Sequence, residues 1–132
     1  MQIITPFLMF EGNAESAMNF YISLFKDATV INISRYEANE TGTEGTVKHA
    51  TFTLNGQEFI CIDSYVSHGF SFTPAMSLYV KCSSDEEINS LFEKISEEGK
   101  ILMPLDKYPF SEKYGWVSDK FGVSWQLALR KI

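Results

Sequence analysis

The spacing of apolar positions changes several times along this chain, and the changes occur in the same order twice. An apolar strand-like run, Ile3 to Phe10, gives way to helical spacing between Asn13 and Phe25, where Ala14, Ala17, Met18, Tyr21, Leu24 and Phe25 recur three or four residues apart. Three runs of period-two alternation follow. The order returns between Ala75 and Leu129, so the pattern predicts a βαβββ unit repeated in tandem, an α+β fold with curved mixed sheets and one helix per unit. A repeated supersecondary unit also says where to look for a site, which is expected between the copies.

The punctuation of each unit supports these assignments. Asn13 is read as the N-cap of the first helix, with Glu15 in the first turn, where the helix dipole favours negative charge. The second helix opens on a capping box, Ser84 with Glu87, carries Ile88, Leu91, Phe92 and Ile95 on one face, and is expected to stop at Gly99. Val47 to Leu54, the pair Asn55-Gly56 and Phe59 to Asp63 read as a tight hairpin. Tyr114 to Ser118, the turn Asp119-Lys120-Phe121-Gly122 and Val123 to Leu129 form its counterpart. The polar stretch 37–45 and the segment 104–113 are read as loops. Module one is placed at about 1–66, the connection at about 64–74 and module two at about 75–132, together one domain.

Composition narrows the classes of function. With 132 residues, 45% hydrophobic and 14% aromatic, the chain can bury about two thirds of its unfolded surface without a staple. Cys61 and Cys82 lie in apolar strand-like runs with no CxxC or Cys/His cluster, which reads as reduced thiols in a cytoplasmic protein. No leader pattern is seen, and no apolar run approaches the roughly 18 residues of a membrane span, so no membrane association is expected. Net charge is −6 and the Lys and Arg residues are scattered, which excludes a basic stripe that could follow a phosphate backbone. Nucleic acid is not expected as a partner.

Several segments in order carry a family resemblance. Ile4-Thr5-Pro6-Phe7-Leu8, Glu11-Gly12-Asn13-Ala14-Glu15, Phe20-Tyr21, Lys48-His49-Ala50, Leu54-Asn55-Gly56, Phe72-Thr73-Pro74-Ala75 and the closing Asp119-Lys120-Phe121-Gly122-Val123-Ser124-Trp125-Gln126 resemble the PhnB-like branch of the vicinal oxygen chelate superfamily. Glyoxalase I, bleomycin-resistance proteins and extradiol dioxygenases belong to that superfamily, and the resemblance covers essentially the whole chain. It implies two βαβββ modules around a cleft with the helices outside, and a homodimer. In metal-using members, one position on the first and one on the last strand of each module supply ligands, and the resemblance places these at Pro6, Cys61, Ala75 and Gln126. Only Gln126 suits a hard divalent ion, because Pro and Ala have no side-chain donor and a lone thiol is a poor partner for one. No metal and no cofactor are therefore expected.

Alternation assigns the remaining candidates to faces. Phe59, Cys61 and Asp63 share one face, and Ser124, Gln126 and Ala128 lie opposite Val123, Trp125 and Leu127; both polar-bearing faces are expected to look into the cleft. Ser77 and Tyr79 are read as inward, with Met76, Leu78 and Val80 under the second helix, and His49, Thr51 and Thr53 share a face. The ligand-binding candidates are His49, Cys61, Asp63, Ser77, Tyr114, Trp116 and Gln126. His49 near Asp63 would make a base, or be an imidazole hydrogen-bonded in a half-buried strand. Cys61 would be a reactive thiol or a small hydrophobe. Tyr114 and Trp116 would clamp a flat ligand or cover the sheet, and Gln126 would orient a ligand through both ends of its amide or sit solvated at a sheet edge. His68, in the connection, reads as exposed.

Three functions compete on these residues. The first is a metal-independent protein that binds a small organic molecule in the inter-module cleft. The second is a metal-dependent lyase, isomerase or dioxygenase of glyoxalase type, which needs a divalent ion to stabilise an enolate or oxyanion. The third follows the label often attached to PhnB-like proteins, 3-demethylubiquinone 3-methyltransferase; the usual adenosylmethionine site is a Gly-rich strand-to-helix turn of a doubly wound sheet, and none is visible.

Overall fold

In the computed structural model, which describes residues 1–129, the chain divides into two compact units, Met1–Ser71 and Phe72–Ile132. The first contains β1 (Phe7–Phe10), α1 (Ala14–Leu24), β2 (Ala28–Arg35), β3 (Val47–Leu54) and β4 (Gln57–Asp63). The second contains β5 (Ser77–Cys82), α2 (Asp85–Ser96), β6 (Lys100–Tyr108), β7 (Ser111–Ser118) and β8 (Ser124–Leu129). Each unit is a four-stranded mixed sheet, ordered β1-β4-β3-β2 and β5-β8-β7-β6, in which the first strand runs parallel to the last and the other pairs are antiparallel. This is the α+β fold of tandem βαβββ modules that the pattern predicts.

In the first unit the sheet buries Leu8, Phe10, Ala50, Phe52, Phe59 and Cys61 on one face, against Ala14, Ala17, Met18 and Tyr21 of α1. The tight hairpin forms as predicted: Asn55 and Gly56 both take positive φ, 48° and 86°, the twist that joins two antiparallel strands through two residues. The cap of α1 differs from expectation. The Asn13 side chain makes no capping bond, and instead the carboxylate of Asp63, at the end of β4, accepts from the amides of Gly12 (2.7 Å) and Ala14 (3.0 Å). Its second oxygen accepts from the amide of Val47 at 2.9 Å. An ionised acceptor serving three donors is a stronger cap than a neutral amide, so the distant residue takes the position.

In the second unit Ile88, Leu91, Phe92 and Ile95 of α2 cover Val117, Trp125 and Leu127. Ser84 accepts from the amide of Glu87 at 3.2 Å, and the Glu87 carboxylate reaches back to the amide of Ser83 at 3.0 Å, closing the capping box one residue earlier than its usual form. Gly99 is not the left-handed stop. Glu98 carries the positive φ of 57°, and Gly99 is needed because a Cβ there would lie 2.3 Å from the carbonyl oxygen of Ser118. Gly115 has a similar role, since a Cβ would meet the Phe92 ring at 2.4 Å. The segment 104–113 is not a loop: it is the end of β6, a two-residue turn and the start of β7, with register shifts along the pair that hid the alternation. Met76 precedes β5 and is exposed, and does not pack under the helix as expected.

Asp119 organises the β7–β8 turn much as Asp63 organises the β1–α1 turn. One carboxylate oxygen accepts from the amides of Phe121 (2.8 Å) and Val123 (3.0 Å), and the other from the indole of Trp125 at 2.9 Å. Two substitutions test these packing arguments by urea denaturation. Gly115→Ala should cost about 1–3 kcal/mol through overpacking against Phe92. Asp63→Asn, which keeps the shape but loses the charge and one acceptor, should cost about 3 kcal/mol.

Candidate functional site

Because α2 covers the Gly115, Val117, Trp125 and Leu127 side of the second sheet, alternation puts Tyr114, Trp116, Gln126 and Ser124 on the opposite, helix-free face. The β5–β8 register adds Ser77 beside Ser124 and Tyr79 beside Gln126. These side chains form one continuous hydrogen-bonded run. Tyr114 donates from its hydroxyl to Gln126 Oε1 at 2.6 Å, Gln126 Nε2 donates to Ser77 Oγ at 3.1 Å, and Ser77 Oγ lies 2.7 Å from Ser124 Oγ. Ser124 accepts in turn from the indole of Trp116 at 2.8 Å. Three candidates named from the sequence, Tyr114, Gln126 and Ser77, are thus joined directly, and a fourth, Trp116, joins them through Ser124, which shares their face and is buried.

Aromatic rings border this run. Tyr79 and Trp116 are the cross-strand neighbours of Gln126 on either side. Tyr108, Phe110 and Tyr114 cluster at the β6–β7 turn, with Phe110 and Tyr114 edge to face at 4.9 Å and Tyr108 stacked on Phe110 at 5.6 Å. Reading 104–113 as a loop concealed Tyr108 and Phe110; the repeat of aromatics at 108, 110 and 114 was the available signal. Burial, then the neighbouring Tyr79 and Tyr108, holds the Tyr114 hydroxyl above its ordinary pKa of 10.0, so it stays protonated and keeps donating to Gln126.

The candidates of the first unit are placed differently. Cys61 and Asp63 do share a face, but it is the one under α1 and not an open one: Cys61 pairs across the sheet with Ala50 and Leu8, and all three are buried. The first strand and the hairpin turn this face inward because it also carries Phe10, Phe52 and Phe59, whose burial outweighs that of the lone polar residue. Asp63 spends its carboxylate on backbone amides, as described above. His49 is exposed, pairs with Ser34 on β2 and lies on the other face from Asp63, so no His–Asp couple forms. His68 is exposed, with Nε2 2.9 Å from Ser64 Oγ and its ring stacked on Phe70.

The donor set does not fit a divalent metal. Among the described residues no three His, Cys, Asp or Glu side chains come together. Pro6 offers only its carbonyl, which accepts from the amide of Ile60, Ala75 lies in the turn before β5, Cys61 faces α1, and the Gln126 amide is bonded at both ends. On β4 the residues that flank Cys61 and face away from α1 are Ile60 and Ile62, which have no donor atoms.

Burial pushes the Cys61 thiol up to about 12, helped by the charge of Asp63, and the Cys82 thiol up to about 11, helped by Glu87. Thiolate is the reactive form and is nearly absent at neutral pH for such groups. At pH 8 the native protein should therefore leave both thiols unmodified by a disulfide reagent over minutes. In denaturant both should react.

The family described as 3-demethylubiquinone-9 3-methyltransferase matches residues 2–128 of this chain. A PhnB protein from Bacillus cereus of solved structure is 66% identical, with 98% of this chain and 100% of that chain covered and a TM-score of 0.96. Protein YjdN of Escherichia coli (strain K12) is 23% identical over 141 residues, covering 97% of this chain and 95% of its own. A glyoxalase-related enzyme from Fulvimarina pelagi shares the fold at 14% identity, with 98% and 89% of the two chains covered and a TM-score of 0.64. With its two βαβββ units and a match along nearly its whole length, the chain belongs to the 3-demethylubiquinone-9 3-methyltransferase family, the PhnB-like branch of the glyoxalase fold.

Proposed function

We propose that this chain is a metal-independent binding protein for a small organic molecule, held at the helix-free face of the second sheet. The observation that carries the reading is the run Tyr114–Gln126–Ser77–Ser124–Trp116, a set of neutral, mutually oriented polar groups bordered by aromatic rings. Ligand pockets combine apolar and aromatic walls with a few fixed polar atoms, and fixing them in advance lowers the entropy lost on binding. The run contains no ionised group and no general base that would activate its serine hydroxyls, so it orients a ligand and offers no step of bond making.

The family's descriptive name implies methyl transfer, and the fold does not favour it. Neither sheet is doubly wound, and the amides of the β1–α1 strand-to-helix turn are occupied by Asp63. The proposal includes a cytoplasmic homodimer: the free thiols Cys61 and Cys82 suit a reducing compartment, and each four-stranded sheet ends in strands with one unpaired edge.

The two tryptophans report on opposite faces of the second sheet, Trp116 within the run and Trp125 bonded to Asp119 under α2. In amide and indole NMR spectra, binding members of an aromatic fragment set should shift the Trp116 indole and leave that of Trp125 nearly unmoved. Excess chelator should not change this, and Gln126→Ala should weaken binding about tenfold. Retention of about one divalent ion per chain after dialysis, with fragment binding lost on chelation, would instead establish the metal-dependent reading.

A further inference from the structure

The helix-free face of the second sheet carries an ionised group close to the aromatic rings that border the run. Asp106 of β6 pairs across the sheet with Tyr114, and directly opposed residues of an antiparallel pair point to the same side, so its carboxylate shares the face of Tyr114. The register shifts on either side of that pair, and such bulges re-aim the side chains around them. Tyr108 shows the result: its hydroxyl donates to the carbonyl oxygen of Pro104 at 2.6 Å, which lays its side chain back along β6 past Asp106. Its ring stands edge to face with Tyr114 at 5.8 Å and stacked with Phe110 at 5.6 Å.

Asp106 is exposed and its charge is not neutralised. Its Oδ1 accepts from the amide of Lys107 at 2.7 Å, and among the described residues it forms no ion pair. Lys107 follows it on β6 and so points to the other side, and Lys113 is bonded to Asp85 of α2 at 3.1 Å. The register puts Lys100 and Lys81 on the helix-free face, Lys100 farther back along β6 and Lys81 on β5, at the opposite edge of the sheet and about 14 Å across. The face is thus negative beside the β6–β7 turn, where Phe110, 65% exposed, leaves much of its ring open.

We infer that the ligand is an aromatic organic cation whose ammonium group lies against Tyr108 and Phe110 and pairs with the Asp106 carboxylate, while its ring occupies the Trp116 and Gln126 part of the same face. This deepens the proposed binding role and rests on it. An aromatic ring carries partial negative charge on its face and attracts a cation there, and the neighbouring carboxylate acts in the same sense. An anion is repelled by both, and a neutral ligand gains nothing from the carboxylate's charge. Two residues along β7 and one strand across separate Trp116 from Asp106, about 8 Å between backbones, a span that a two-carbon link from ring to nitrogen covers once the Asp106 side chain reaches inward.

A matched naphthalene series tests this by titration calorimetry at about pH 7, where the amine is protonated, with the Trp116 indole signal locating the site. 2-(2-Naphthyl)ethylammonium should bind about tenfold more tightly than 2-(2-naphthyl)ethanol, and 3-(2-naphthyl)propanoate should bind more weakly than either. Asp106→Asn, which keeps the bond to the Lys107 amide, should bring the ammonium compound to within about threefold of the alcohol and leave the alcohol unchanged. Glu93→Gln, which removes the same charge from the exposed side of α2, should preserve the preference and so separates Asp106 from the overall charge of −6. Binding of the alcohol or the propanoate at the Trp116 face as tightly as the ammonium compound, or a preference that survives Asp106→Asn or is lost equally in Glu93→Gln, would overturn the cation assignment and leave the binding role standing. If none of the three shifts Trp116 at millimolar concentration, both the assignment and the binding role fail.

Discussion

One carboxylate holds the first unit to its architecture. Asp63 ends the last strand, yet its oxygens bind the turn that opens the helix and the first residue of the hairpin, tying β4, the β1–α1 turn and β3 together within a buried space. Removing a carboxylate from water is costly, and the cost is offset only when each oxygen is met by donors, here three backbone amides that would themselves be unsatisfied without it. The helix axis is fixed by that arrangement, and with it the side of the sheet that is covered. Asp119 makes the corresponding tie in the second unit, between the β7–β8 turn and the indole of Trp125.

Fixing which face is covered also fixes which face is free to bind. In the second unit Gly115 lets Phe92 of α2 approach the sheet, and Val117, Trp125 and Leu127 are buried on that side. The opposite side is left with residues that are polar or amphipathic, and cross-strand register aligns them closely enough to bond. In the first unit the same packing logic has the opposite outcome for chemistry. Cys61 and Asp63 are absorbed into the covered face, and beside Cys61 on β4 the other face carries the half-buried Ile60 and Ile62, with the exposed Phe7 of β1 paired to Ile60. The two modules share a topology and have diverged in what they present.

This asymmetry bears on how a family name relates to chemistry. Sequence and fold join the chain to proteins described as methyltransferases and, more distantly, to a glyoxalase-related enzyme. A fold supplies strand positions; it does not supply the side chains on them. Here those positions carry hydroxyls, an amide and aromatic rings, groups that recognise by hydrogen bonding and stacking and do not supply a hard-metal coordination sphere.

Local pattern alone determined a good deal. The tandem βαβββ order, the Asn55-Gly56 hairpin, the Ser84 and Glu87 box and the shared face of Ser124 and Gln126 are all set by short-range periodicity and turn chemistry, which act over a few residues and so are visible in a linear string. Tertiary structure decided what depends on partners far away in sequence. Asn13 lost the helix cap to a residue some fifty positions on, Gly99 and Gly115 are required by approaching groups and not by their own turns, and β6 kept its strand despite a register that breaks the alternation. Alternation grouped Cys61 with Asp63 correctly, but only the docking of α1 could say that their face is the buried one. A period-two pattern separates the two sides of a strand and is blind to which of them a helix will cover.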